Sequence, residues 1–233
     1  METLRILYTK DSYMRFLGHL ELMKLFERVF RFNKLPLKFS EGFNPIPRLT
    51  FASPLSVGYS SKAEVMEVIL NSEISIQQVK DIKFPNGIKV LDAQFINCKH
   101  SLMSKLEFAE YILKVEYDSK VEQLPFEEWV ESFLNEKEIF YEKKTKRGTV
   151  KAVNALGQIH DMKLLYNADN EVVFRVMLQT GSNGSLNPEK LVDIFGSHYK
   201  LNQKAVNIDV ERLGLYFTKN GTLTNLYELS EEE

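Results

Sequence analysis

The chain has 233 residues, 30 Lys and Arg against 32 Asp and Glu for a formal net charge of −2, 44% hydrophobic residues and 27% charged ones. These globular proportions exclude a disordered or fibrous chain, and a chain of this length buries roughly 70% of its unfolded surface. Cys98 is the single cysteine, which excludes an intrachain disulfide and a C-x-x-C metal or redox site. The start METLRILYTKDS has no apolar signal core, and no apolar run approaches the ~20 residues of a membrane span, so a cytoplasmic protein with no membrane contact is expected.

In chain order, LRILYT alternates and predicts a strand with Leu4, Ile6 and Tyr8 on one face. HLELMKLFERVFRF predicts an amphipathic helix. Leu22, Leu25, Phe26, Val29 and Phe30 share one side, and Lys24, Arg28 and Arg31 share the other. A long Pro- and Gly-rich connection with extended segments follows through residues 34–61. EVMEVIL then predicts a strand, SIQQVKDIKF a short helix and GIKVLDAQFIN a strand. The second half repeats the order. AEYILKVEYD predicts a strand, PFEEWVESFLNEKEIF a helix opened by Pro125, and IFYEKKTKRG an extended basic region. KLLYNADNEVVFRVMLQ predicts two strands around a turn, and NPEKLVDIFG a helix with Asn187 as N-cap and Gly196 past its end. NIDVERLGLYF closes with a strand. The expected class is α+β, as two tandem ferredoxin-like β-α-β-β-α-β domains at residues 1–100 and 107–228, joined near 99–107 and followed by an acidic tail at 229–233.

Charge is unevenly spread. Residues 10–48 hold eight bases against four acids, and residues 143–151 hold five bases and no acid. Residues 107–142 hold eleven acids against three lysines. Lys24, Arg28 and Arg31, flanked by Arg15 and Arg48, stand one helical turn apart and can follow a phosphate backbone, although the same spacing describes a solvated helix face. Lys144, Lys146, Arg147 and Lys151 form a second candidate nucleic-acid contact, because a basic loop or hairpin tip can clamp a strand. Phe39 and Phe43 in SEGFNPIPRL can stack bases; core packing is the expectation for Phe39 and Phe51, with Phe43 open. Gly181, Ser182, Gly184 and Ser185 precede a helix N-terminus and are candidates for holding an anion, or a plain turn. They lack the Lys-Ser/Thr of a P-loop. His19, His100, His160 and His198 have no metal-ligand spacing, so neither a metal nor another cofactor is implied. His19, at the head of the basic helix, is the candidate catalytic residue, as a general acid/base for RNA cleavage or else as a turn-capping residue.

The densest string, RFLGHLELMKLFERVFRFNKLPLKFSEGFNPIPRLTFASPLSVGYSS, resembles the radical SAM-linked protein family. The resemblance rests on Arg15-Phe16, Gly18-His19-Leu20, Leu35-Pro36-Leu37, Ser40 to Pro45, Phe51-Ala52, and Pro54-Leu55 to Gly58. Weaker similarity continues through KKTKRG and TGSNGSLNPEKL. Glu21, Phe32 and Ile46 depart from the family pattern, where an Asp, an Arg and a His are expected. The family is bacterial and of unknown function. Its members are encoded beside, or fused behind, a cobalamin-type radical SAM protein. With one cysteine the chain cannot itself hold the three-cysteine cluster of such an enzyme, so the resemblance implies a companion to a radical SAM partner.

These observations give the expectation of an RNA-associated accessory protein, acting on tRNA or rRNA beside a radical SAM enzyme and not an enzyme on its own. By fold-level analogy, tandem ferredoxin-like domains also look like the metal-independent endonucleases of CRISPR repeat processing. A protein adaptor without nucleic-acid binding is the third reading.

Overall fold

Alternation of Leu4, Ile6 and Tyr8 becomes β1 (Glu2–Lys10), with all three side chains buried. The computed structural model describes residues 2–97, 101–144 and 148–230. A 3-10 turn at Ser12–Phe16 and α1 (His19–Phe32) follow, then β2 (Leu49–Phe51), β3 (Ser60–Leu70), α2 (Ile76–Lys80), β4 (Ile88–Ile96) and a four-residue α3 (Leu102–Lys105). The chain continues through β5 (Phe108–Tyr117), α4 (Phe126–Asn135), β6 (Phe140–Lys144), β7 (Val150–Asn154), β8 (Ile159–Ala168) and β9 (Glu171–Gln179). It ends with α5 (Pro188–His198), β10 (Ala205–Lys219) and β11 (Thr222–Asn225). The class is α+β, with a large sheet of order β4-β1-β3-β10-β5-β9-β8 and few helices.

Two compact units divide the chain: Met1–Glu107 with Arg212–Glu233, and Phe108–Glu211. The first crossing, at 107–108, adjoins the junction expected near 99–107. The chain crosses back at 211–212, inside β10, where continuous strand alternation gives no sign of a boundary. β10 thus contributes residues to both units.

In the first unit β1 runs antiparallel to both β3 and β4, and β2 pairs with β3. α1 and α2 bury one sheet face, with Leu22, Phe26, Phe30 and Val79 packed on Leu4, Ile6, Tyr8, Met66 and Val68. The Phe26 ring sits 4.9 Å from Tyr8, 5.7 Å from Phe51 and 5.0 Å from Phe84. Each such buried aromatic contributes roughly 1.5–3 kcal/mol. On the other face Arg5 is fully buried opposite Glu67, pairing at 2.7 Å, and it donates to the carbonyls of Tyr227 and Leu229.

In the second unit β5 runs antiparallel to β9, and β9 to β8. The predicted face of β5, Tyr111, Leu113, Val115 and Tyr117, is buried. Phe126 and Phe133 of α4 meet Phe195 of α5 at 6.2 and 5.1 Å. The basic stretch after α4 forms a separate two-stranded ribbon, β6 with β7. Two predicted helix ends are corrected. Pro125 is the N-cap of α4 and not its first residue, and α5 continues through Gly196 to His198. The extra turn of α5 is held because Tyr199 stacks on Trp129 at 4.7 Å and donates its hydroxyl to the Trp129 carbonyl at 2.6 Å.

Candidate nucleic-acid interface

α1 begins where Gly18, in extended conformation, donates its backbone N–H to the Glu21 carboxylate at 2.8 Å. That acid at the third helical position also complements the helix dipole. Burial of Leu22, Phe26 and Phe30 on the sheet forces Lys24, Arg28 and Arg31 outward, and all three are exposed. Arg31 pairs with Glu27 at 3.2 Å, an exposed i,i+4 pair of under ~1 kcal/mol. Lys24 and Arg28 make no ion pair among the described residues. Phe32, at the end of the helix, is 86% exposed.

Arg31 carries the basic stripe to the next segment, its guanidinium 5.9 Å from the centre of the Phe39 ring. Phe39 and Pro47 bridge, the Ser40 N–H donates to the Ile46 carbonyl at 2.8 Å, and the Ile46 N–H donates to Ser40 Oγ at 3.0 Å. Below this latch the Arg48 N–H donates to the Lys38 carbonyl at 2.9 Å, and Lys38 is anchored to Ile69. The loop of residues 40–46 is thus closed at its base. Gly42 takes φ +121°, open to glycine, and Pro45 holds Asn44 extended. Phe43 stands at full exposure, Ile46 is 59% exposed, and the Arg48 side chain is exposed. Phe39 packs against the core and Phe51 lies inside it, as expected.

Arg15 and His19 sit where this surface meets the core. Arg15 donates to the Gly58 carbonyl and lies 5.9 Å from the centre of the Phe16 ring. His19 is half-buried, with its ring edge-on to Phe51 at 5.4 Å, which is a packing contact. Beneath them lies an ionic group that composition does not reveal. Arg212 and Glu64, 2% and 3% exposed, form a two-point pair at 2.7 and 2.5 Å, and Arg212 also donates to the Ser53 carbonyl at 3.3 Å. Glu64 lies directly across the ladder from Tyr8. Burial, reinforced by the Glu64 charge, pushes the Tyr8 hydroxyl well above its usual value. Lys10 is buried, donating to the Leu17 carbonyl at 2.8 Å and the Arg15 carbonyl at 3.4 Å. Burial holds its ammonium below the ordinary lysine value. Lys10 therefore fixes the turn before α1 and leaves the basic island. The sequence signal was a charged residue at an inward position of an apolar strand, as at Glu64 and Arg212.

In the second unit Lys151 is exposed on β7, across from Lys143, whose ammonium donates to the Ser185 carbonyl at 2.7 Å. Lys144 closes β6, while Lys146 and Arg147 lie outside the described residues, as does the end of the acidic tail at 231–233. The candidate anion loop is occupied by its own chain. Gly184 is pressed close to Gln179 and Gln158, and the Asn187 side chain accepts from the N–H groups of Glu189 and Lys190 at 2.8 and 3.2 Å. Two of the donors an anion would use are already capped, and Gly181 and Ser182 form an exposed turn. His160 packs on Phe108 and His198 on Phe133, while His100 lies outside the described residues. Among the described residues no three His, Cys, Asp or Glu side chains cluster in a way that holds a metal ion, and no helix is long and apolar enough to cross a membrane.

Residues 3–188 match a family model described as an uncharacterized protein conserved in bacteria (DUF2344). The chain belongs to this family. The DUF2344 match contains α1, the 40–46 loop, both basic islands and the acidic segment between them. No curated protein matches the chain. Solved structures similar to this DUF2344 chain include a Cbf5-Nop10-Gar1 complex, at TM-score 0.49 and 10% identity over 89% of this chain. Another is an H/ACA RNP bound to a substrate RNA containing 2'-deoxyuridine, at 0.48 and 10% over 93%. An archaeal box H/ACA sRNP Nop10-Cbf5 complex gives 0.44 and 12% over 89%. The chain spans about half the length of these matched chains, 47%, 47% and 46%.

Proposed function

We propose that this DUF2344 protein is an RNA-associated accessory protein that contacts tRNA or rRNA through the outer face of α1 and works beside a radical SAM partner enzyme. We read each unit as a variant of the ferredoxin-like unit, with β10 as the strand they share. The observation that carries the RNA reading is the continuity of the exposed Lys24, Arg28 and Arg31 with the latched loop that presents Phe43 and Arg48. Cations one helical turn apart displace counterions from a phosphate backbone, and an adjacent aromatic adds a contact that a plain solvated face lacks. The half-buried His19, its ring edge-on to Phe51, supports a structural role over that of an acid–base group for RNA cleavage. The partner reading rests on the radical SAM-linked resemblance of residues 15–61.

The test is fluorescence anisotropy with bulk tRNA and with rRNA fragments across a salt series. Binding should weaken steeply with salt, and reversing Lys24, Arg28 and Arg31 to Glu should lower the slope of log K against log salt by roughly two to three units. Absence of salt-dependent binding at about 50 mM salt, where phosphate contacts are strongest, overturns the RNA reading and leaves a protein adaptor.

A further inference from the structure

Phe43 has no structural task in the fold. It is fully exposed, and the glycine before it and the asparagine after it are exposed as well. Yet the loop that carries it is stapled at its base by the Ser40–Ile46 hydrogen bonds and the Phe39–Pro47 bridge. A loop held open with a bare ring at its tip forgoes the burial that usually decides where phenylalanine goes. It also forgoes little ordering entropy on binding, since its backbone is already restrained.

We propose that Phe43 is a stacking platform for an unpaired RNA base, with the guanidinium groups of Arg31 and Arg48 at the loop base contacting the flanking phosphates. The proposal rests on the RNA reading above and names the form of RNA: single-stranded or looped, with at least one base free of its stack. A continuous duplex keeps its base faces inside the stack and offers this ring nothing, whereas an unpaired base of any identity presents a π-face. The alternative of insertion into a lipid surface fits the loop poorly. Its apolar side chains are Phe43, Pro45 and Ile46, and Ser40, the carboxylate of Glu41 and the amide of Asn44 lie among them. One ring between polar neighbours is suited to one planar partner.

The experiment compares wild type, Phe43→Ala and Phe43→Trp on two probes of equal length and charge, an RNA hairpin with 2-aminopurine in its loop and a blunt RNA duplex. Because the ring touches only solvent, thermal melts of both variants should superimpose on wild type. The expected result is a roughly five- to hundredfold loss of hairpin affinity for Phe43→Ala, the range for one base–aromatic stack. Its salt slope and its duplex affinity should stay unchanged, and Phe43→Trp should retain wild-type binding. Loop fluorescence should be quenched by wild type and not by Phe43→Ala. Equal hairpin affinity for wild type and Phe43→Ala, or an equal loss on both probes, overturns the stacking proposal while leaving the RNA reading intact. Wild type that binds neither probe overturns both. Phosphatidylserine vesicles bound by wild type and not by Phe43→Ala, with hairpin affinity unaltered, assign the tip to a membrane instead.

Discussion

Glu64 and Arg212 stand as charges at inward positions of apolar strands, and each carries a large share of stability. Each is nearly devoid of solvent, and the two meet across 148 positions of chain. Removing one partner strands the other charge inside the fold, at a cost of about 3–5 kcal/mol. Glu64→Gln should lower the urea midpoint accordingly, while the paired Glu64→Leu, Arg212→Leu protein should recover much of the loss. A double variant no more stable than the single would mean that hydrogen bonding to Ser53 and not ionic pairing sets the cost. Titration at the same scale gives a second expectation. Burial pushes the Tyr117 hydroxyl up to about 12, so its contribution is complete below the unfolded value near 10 and is lost as pH rises through 12. Two units correspond to about 3 kcal/mol. Tyr8 is raised by burial and acts in the same direction. Lys10, lowered by burial, acts oppositely: it costs stability at neutral pH, and the cost is relieved as pH rises toward the unfolded value near 10.5. Unfolding free energy measured between pH 9 and 12 should fall above about 10, and Tyr117→Phe should flatten part of that fall.

Among the elements, α5 separates what local pattern reveals from what packing decides. Asn187 as N-cap and Pro188 as the first helical residue were legible, because capping is local chemistry. Gly196 was not a stop, because Tyr199 and Trp129 lie 70 positions apart and their contact is invisible to a window. Gly196 sits in helical conformation with only Leu201 near, at 3.7 Å from an added methyl. Gly196→Ala should therefore stabilise the protein by about 0.5–1 kcal/mol in thermal melts, by removing unfolded-state freedom. Destabilisation would show that the helix end needs the glycine after all. The same distinction runs through the candidate interface. The stripe on α1 was legible because a 3.6-residue period places Lys24, Arg28 and Arg31 opposite Leu22, Phe26 and Phe30. The loss of Lys10 to the interior was legible only in its place on the inward face of β1 with Leu4, Ile6 and Tyr8, a signal that counting charge along the chain passes over. The capping of the 181–185 turn, where Asn187 takes the donors that a free helix end would offer, was not legible.

For the whole molecule the net charge of −2 conceals two surfaces of opposite sign. The first unit presents the basic face of α1, and the second presents α4, where Glu127, Glu128 and Glu131 are exposed and make no ion pair among the described residues. Like charges gathered on one helix repel one another and lower stability slightly, and they pay that back only when a cationic partner arrives. If the radical SAM partner engages this helix, the complex should form fast at low salt and its association rate should fall as salt rises, whereas RNA bound through α1 should respond to its own set of charges. Co-expression with the partner enzyme followed by size exclusion at micromolar concentration should give co-elution. Reversal of Glu127, Glu128 and Glu131 to Lys should slow association at least tenfold at about 50 mM salt and leave RNA affinity no weaker. The reciprocal reversal of Lys24, Arg28 and Arg31 should weaken RNA binding and leave co-elution intact. Separate elution of the two wild-type proteins removes the partner reading, and loss of both partners on reversing either helix would show that the two charge surfaces serve one interface and not two.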